Sequence, residues 1–210
     1  MNKFKYITLL GFSSLLLAAC GESSDVTVES VSSNSATSTA EEVSSEAESS
    51  EETSAPGKRS NPVSIGESAT WDVLYSDADY NPLEGTVTTT ISNIIRGEEA
   101  INQLMEANEF NEAAPEGYEW VIFDMSLVLD EGSEDDPFNT STILITPISS
   151  DGSEVSQSTY ATFEDGTAFG WKDLYKGGND SGKVGLIIPE GDETLIEISD
   201  MNTSVFYKLK

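Results

Sequence analysis

Between Tyr118 and Leu129 the chain places Val121, Phe123, Met125, Leu127 and Leu129 at every second position. Apolar side chains at period two line one face of an extended strand, whereas a helix spreads the same positions around its axis. The run therefore predicts a central strand whose odd-numbered face belongs to a core. Its other face carries Tyr118, Trp120, Ile122, Asp124, Ser126 and Val128, a mixed surface expected to meet solvent, a neighbouring loop or a partner. The preceding run alternates as well, with Val87, Thr89, Ile91 and Ile95 on one side and Thr86, Thr88, Thr90 and Ser92 on the other. Antiparallel pairing of half-buried strands fits both runs.

Similar short β-rich runs recur about every 10 to 20 residues between Gly, Asp, Asn and Pro, the spacing of a β-sandwich. Strands are expected over 69–75, 85–95, 118–129, 140–148, 157–163, 183–188, 194–199 and 205–209. One helix interrupts them. Glu98 and Glu99 follow Gly97 where a helix N-terminus favours anions, and Ala100, Ile101, Leu104 and Met105 form an apolar stripe at helical spacing. The helix is expected over 98–107, closed by Asn108, as a plug for one open end of the core. Residues 62–210 suit a single domain.

The N-terminal third has another character. Lys3 and Lys5 precede an apolar run from Tyr6 to Leu17, so residues 1–19 read as a signal peptide. Gly11, Ser13 and Ser14 interrupt a run already short for a membrane span. Leu17-Ala18-Ala19-Cys20 resembles the lipobox of bacterial lipoproteins, which implies diacylglycerol on the Cys20 sulfur and N-acylation of the new terminus. Acyl chains contribute about 0.8 kcal/mol per buried CH₂, enough to hold a domain at a bilayer. Residues 21–61 contain 13 serines and nine acids, with no leucine or aromatic. Little apolar area offsets chain entropy there, so residues 20–61 are expected to be a lipidated, disordered tether spanning about 35 Å root-mean-square.

Two absences narrow the chemistry. The chain has no histidine, and its single cysteine is the lipidation candidate. Ser-His-Asp triads, CxxC pairs, HExxH helices and cysteine zinc sites are thereby excluded. Loss of Lys3 and Lys5 with the signal peptide leaves eight basic against 38 acidic residues, a net charge of −30. A polyanion of this kind repels nucleic acid, so no nucleic-acid partner is expected.

Gly66 opens a strand, a Thr-rich strand and then a loop or helix follow, and Glu116-Gly117-Tyr118-Glu119-Trp120 leads into the apolar strand. Gly177-Gly178, Gly182-Lys183-Val184 and Ile188-Pro189-Glu190 follow later as turn, strand and exit. This order resembles an extracellular Ig-like lipoprotein family of unknown function, whose relatives include the mycobacterial immunoprotective extracellular antigens. The resemblance covers most of 62–210. It implies an Ig-like antiparallel β-sandwich displayed at a cell surface with no catalytic residue; with the helix read from the residues themselves, which is longer than a plain sandwich needs, the chain is expected to be mainly β with one inserted short helix.

Four stretches remain to be weighed as candidate sites. Gly177 to Lys183 matches the first seven positions of a P-loop, but Val184 stands where Ser or Thr holds magnesium and a strand follows, so a turn is expected. Asp130, Glu131, Glu134, Asp135 and Asp136 offer a possible calcium site, against the simpler reading of a solvated acidic loop. Asp77, Asp79 and Asn81 begin like an EF-hand loop, but Pro82 replaces its glycine. Phe169, Trp171 and Tyr175 form an aromatic group suited to a glycan or peptide, or else cap the core edge. The leading expectation is a non-catalytic module at the extracytoplasmic face of a bacterial membrane. Its partner would be an envelope protein or glycan. A small-ligand or calcium-binding lipoprotein is the alternative, and a carboxylate-based or Ser-Lys hydrolase a third.

Overall fold

The computed structural model describes residues 26–29 and 55–210; Cys20 and the signal peptide lie outside them. The alternating run forms β4 (Tyr118–Glu131), paired antiparallel with β3 (Pro82–Arg96) on one side and β8 (Asn179–Pro189) on the other. With β2 (Ser68–Ser76) and β1 (Thr27–Glu29) they make a five-stranded sheet in the order β1-β2-β3-β4-β8. A second sheet holds β6 (Leu144–Ile148), β9 (Leu195–Ser199) and β10 (Ser204–Lys208) in the order β10-β9-β6. A short pair, β5 (Phe138–Asn139) with β7 (Asp173–Leu174), completes the strands. The protein is an antiparallel β-sandwich, with one α-helix among the described residues.

Alternation decides which side chains fill the sandwich. Val121, Phe123, Met125, Leu127 and Leu129 of β4 meet Trp71, Val87 and Ile91 of the same sheet and Ile196, Ile198, Val205 and Tyr207 of the other. Tyr75 and Phe138 close one end, their rings edge to face at 5.6 Å.

The second face of β4 differs from its expectation. Trp120 and Ile122 are buried there in a separate cluster with Ile187 of β8 and with Ala100 and Leu104 of α1 (Gly97–Ala107). The helix therefore covers the outside of the large sheet and does not plug the core. Asp124, Ser126 and Val128, further along that face, remain partly exposed. Within α1 the stripe is narrower than its spacing suggested, because Met105 points outward and is 45% exposed. Ile95 also changes sides. A bulge lies between Ser92 and Ile95, with Asn93 at φ 52, so Ile94 packs on the main core while Ile95 joins the cluster under α1. One extra residue reverses the faces that follow it, which is how one strand serves two cores.

The tether boundary differs as well. Val26 is 6% exposed within the main core, and β1 pairs with Ser68, Ala69 and Thr70 at the edge of β2. Residues 55–61 form a turn in which the Phe206 amide donates to the Gly57 carbonyl at 2.9 Å. Order thus reaches N-terminal of Pro62, because two valines at alternate positions suffice to seat a three-residue strand on an open edge.

Residues 157–163 were expected to be a strand and are not. They run beside β8, where the Gln157 side chain replaces a ladder: its Oε1 accepts from the Ile187 amide at 2.8 Å and its Nε2 donates to the Ile187 carbonyl at 3.0 Å. Ala161 and Phe163 then add to the cluster under α1. The expected strand over 140–148 is likewise shorter, since Thr140–Thr142 form a 3₁₀ turn before β6.

Candidate functional site

The aromatic segment is held by a buried carboxylate that sequence inspection passed over. Asp180, in β8, is fully buried. Its Oδ2 accepts from Thr140 Oγ1 at 2.8 Å and from the Gly170 amide at 3.0 Å, and Lys172 Nζ lies 2.8 Å from Oδ1. Thr140 joins the same knot, accepting at Oγ1 from the Lys172 amide at 3.0 Å while its own amide donates to the Lys172 carbonyl at 2.9 Å. A buried carboxylate demands such partners, since removing an unpaired charge from water is costly. In sequence it hides within Gly-Gly-Asn-Asp-Ser-Gly, where an acid looks like turn composition.

Trp171 sits between Gly170 and Lys172, the two residues this knot fixes. It is 85% exposed and adopts φ 71, a left-handed conformation unfavourable for a bulky side chain. Tyr175 is half exposed, whereas Phe169 packs against the main core. The structure therefore divides the three aromatics: Phe169 is structural, and Trp171 and Tyr175 face outward with Asp173. Leu174, between them, is buried. In the β5–β7 pairing Asn139 stands opposite Asp173, and Asn139 Nδ2 donates to Asp173 Oδ1 at 2.7 Å.

The acidic loop is arranged differently. Asp130 Oδ2 accepts from Thr88 Oγ1 at 2.6 Å, Glu131 pairs with Lys176, and Asp136 Oδ2 accepts from Ser133 Oγ at 3.0 Å. Glu134 and Asp135 are exposed. Among the described residues no three acidic, histidine or cysteine side chains gather as a metal-binding group. Nearby, an open groove of about 480 Å³ runs between β2–β3 and the β9–β10 turn, with Asp72, Leu74, Glu84 and Glu131 in its lining.

The P-loop-like stretch is strand from Asn179 onward. At Gly182 the backbone of Ala168 and Phe169 crosses so closely that an added Cβ would lie 2.4 Å from it. The glycine serves packing, and Asp180, two residues earlier, anchors the loop that crosses.

The displaced carboxylates also bear on catalysis. Hydrogen bonds from Asn81, its side chain foremost, hold Asp77 below the usual range, and the Ser149 hydroxyl leads the same effect at Asp151. At Asp192 burial pushes upward, but hydrogen bonds from Ser150, Thr194 and the backbone prevail and lower the pKa. A carboxylic general acid needs a shift in the other direction.

No family model matches the chain, and no curated protein matches it. Among solved structures the chain is similar to the crystal structure of an uncharacterized beta-sandwich protein from Clostridium difficile 630. That likeness has 12% identity and a TM-score of 0.36, and covers 79% of this chain and 100% of the other.

Proposed function

We propose that this protein is a lipid-anchored β-sandwich module, displayed at the extracytoplasmic face of a bacterial membrane, which acts by binding and not by catalysis. The observation that carries the reading is Leu17-Ala18-Ala19-Cys20 behind a basic start and an apolar run. Thioether attachment of diacylglycerol at Cys20, with N-acylation after cleavage, supplies the membrane partner. The order of glycines, Thr-rich strand and Tyr118-Glu119-Trp120 supports kinship with Ig-like surface lipoproteins. The solvent-facing aromatic loop supports a binding role, because loops on a rigid scaffold are the usual place for recognition.

Detergent-phase partition and intact mass test the anchor. The mature wild-type chain should enter the detergent phase and carry the mass of its acyl groups. Cys20→Ser should accumulate as precursor or appear in the aqueous phase. A Cys20→Ser chain that is still processed and still partitions into detergent overturns the reading.

A further inference from the structure

We infer that the side of the sandwich formed by the 55–61 turn and the outer face of β9 and β10 docks on an anionic lipid bilayer, the one to which Cys20 is attached. Val26 is built into the main core only six residues after Cys20. A chain reaches at most about 3.6 Å per residue, so Val26 stands within about 22 Å of the Cys20 backbone whatever path the chain takes. Seating β1 on β2 thereby removes most of the expected tether from the spacing between bilayer and domain, and brings the elements around Val26 close to the lipid. Gly57 is one of them: a Cβ there would lie 2.8 Å from Val26 Cγ1 and 3.4 Å from Val205 Cγ1.

The same side holds the chain's unpaired cations. Eight basic residues follow Cys20, and four are held in ion pairs: Arg96 with Glu119, Lys172 with Asp180, Lys176 with Glu131 and Lys183 with Asp124. Lys58, Arg59, Lys208 and Lys210 are exposed and, among the described residues, pair with no carboxylate. Backbone bonds bring these four together. The 57–63 segment runs along β10, where the Phe206 amide donates to the Gly57 carbonyl at 2.9 Å and the Lys208 amide to the Val63 carbonyl at 3.0 Å. Lys58 and Arg59 line one open groove, Lys208 and Lys210 line the next, and the two grooves share Glu193 and Leu195. Among the described residues Glu193 is the one carboxylate side chain in either lining, since Asp192 beside it is engaged by the Ser150 and Thr194 hydroxyls.

Charge is read locally at such a surface. The formal net charge of −28 belongs to the whole chain, whereas fields in physiological salt fade within about 8 Å, so headgroups under this side meet its cations first. Basic side chains near an anionic bilayer are drawn to it, and a short link to that bilayer keeps the phosphates at high effective concentration. A patch too weak to recruit a soluble polyanion is therefore sufficient to orient a domain already attached. This placement rests on acylation at Cys20 and adds which side of the fold meets the membrane.

Cys20 is the chain's one cysteine, and acylation consumes its thiol, so an introduced cysteine takes a fluorophore at one position. Ala55→Cys labels the exposed turn. Ser181→Cys labels an exposed position on β8, the edge opposite β1 and about 19 Å from it across four strand spacings. The mature lipidated protein is reconstituted in vesicles of equal parts phosphatidylglycerol and phosphatidylcholine that carry a nitroxide on the headgroup, a quencher acting only at close range. Quenching should be about threefold or more stronger at position 55 than at position 181, because each cation at an anionic surface favours the docked state about fivefold. Lys58→Gln/Arg59→Gln should keep the wild-type melting midpoint, both side chains being exposed, and lose most of that excess; vesicles of phosphatidylcholine alone should lose it too. Equal quenching at the two positions in anionic vesicles overturns the inference, as does an excess that the double variant or the neutral vesicles keep in full. An excess that appears only at high protein density overturns it as well, by marking a second copy as the occupant. Intact mass of the same preparation separates the two claims: a lipidated chain with equally quenched labels fails the docking alone, whereas a chain without acyl mass fails the anchor and the docking together.

Discussion

The Tyr207 hydroxyl donates to the Thr89 carbonyl 2.7 Å away, through the middle of the sandwich. The same hydroxyl lies 3.0 Å from Thr89 Oγ1, which also accepts from Trp71 Nε1 at 3.1 Å. A polar chain thus ties β10 of the small sheet to β3 and β2 of the large one. Buried networks of this kind favour a single register when every member is satisfied. Burial holds the Tyr207 phenol neutral, up to about 12, although its hydrogen bonds act in the opposite direction.

That shift has a definite sign. The phenol deprotonates near its ordinary value of 10 in the unfolded chain and later in the folded one, so the folded state binds more protons between them. Stability from this group is complete below pH 10 and falls as pH rises toward 12, by about 2 to 3 kcal/mol. Tyr207→Phe should cost about 1 to 2 kcal/mol at pH 7, from the lost hydrogen bond, and flatten the alkaline decline. Urea unfolding at pH 7, 9, 10 and 11 checks this; an equally steep decline in the variant would assign it to other groups.

Phe123→Ala and Trp120→Ala lie on opposite faces of β4, and both residues are fully buried. Each should lower stability by about 3 to 5 kcal/mol. Trp120 adds a hydrogen bond from Nε1 to the Glu112 carbonyl at 2.9 Å, so its removal also frees the segment after α1. Ser126→Ala, on the part of that face which α1 does not cover, should change stability by less than about 0.5 kcal/mol. Chemical denaturation of the three variants tests the double cover, and a Trp120→Ala loss near that of Ser126→Ala would refute it.

The odd-numbered face of β4, the antiparallel pairing of β3 and β4 and the span of α1 along the chain were all legible in sequence, because each follows local periodicity, whereas the place of α1 over the outside of the large sheet was not. Nor was the cover over Trp120, since period two says which residues share a face and nothing about what lies above them. Ile95 was misplaced because a bulge at Asn93 has no strong signature without glycine. Residues 157–163 have strand composition, but Gln157 supplies with one side chain the bonds that a backbone would have made. At the candidate site the exposed aromatics were visible as a cluster, whereas the separation of Phe169 from Trp171 and the anchoring by Asp180 depend on contacts distant in sequence.

Val26 offers a test of where the domain begins. It packs so near the turn at Gly57 that a Cβ on that glycine would stand 2.8 Å from Val26 Cγ1. Val26→Ser should cost about 2 kcal/mol and lower the midpoint by about 4 to 8 °C. Removing residues 21–61 should cost at least as much, because the turn that accepts from the Phe206 amide goes too. A melting curve unchanged by the deletion would show that the fold does not need β1.

Gly182 tests the crossing that positions the aromatic loop. A Cβ there would meet Ala168 C and Phe169 N at 2.4 Å and the Ala168 oxygen at 2.6 Å, all backbone atoms. Neither chain can retreat easily: β8 is paired to β4 along its length, and the Phe169 amide donates to the Lys183 carbonyl at 3.0 Å while the Lys183 amide donates to the Thr167 carbonyl at 2.8 Å. Gly182→Ala should therefore destabilise by about 1 to 3 kcal/mol, the usual range for overpacking, and displace residues 167–169 from β8. Gly185→Ala meets the Ala161 Cβ at 2.6 Å, which moves only with its own backbone, and the Phe163 ring at 3.1 Å; it should cost less because residues 161–163 lie outside any strand and can retreat more readily than paired backbone. Hydrogen exchange at the Phe169 and Lys183 amides reads the displacement directly. Faster exchange at both in Gly182→Ala, with neither changed in Gly185→Ala, is the expected pattern. Equal protection in the two variants would mean that the crossing tolerates a methyl group and that the Asp180 knot alone fixes the loop.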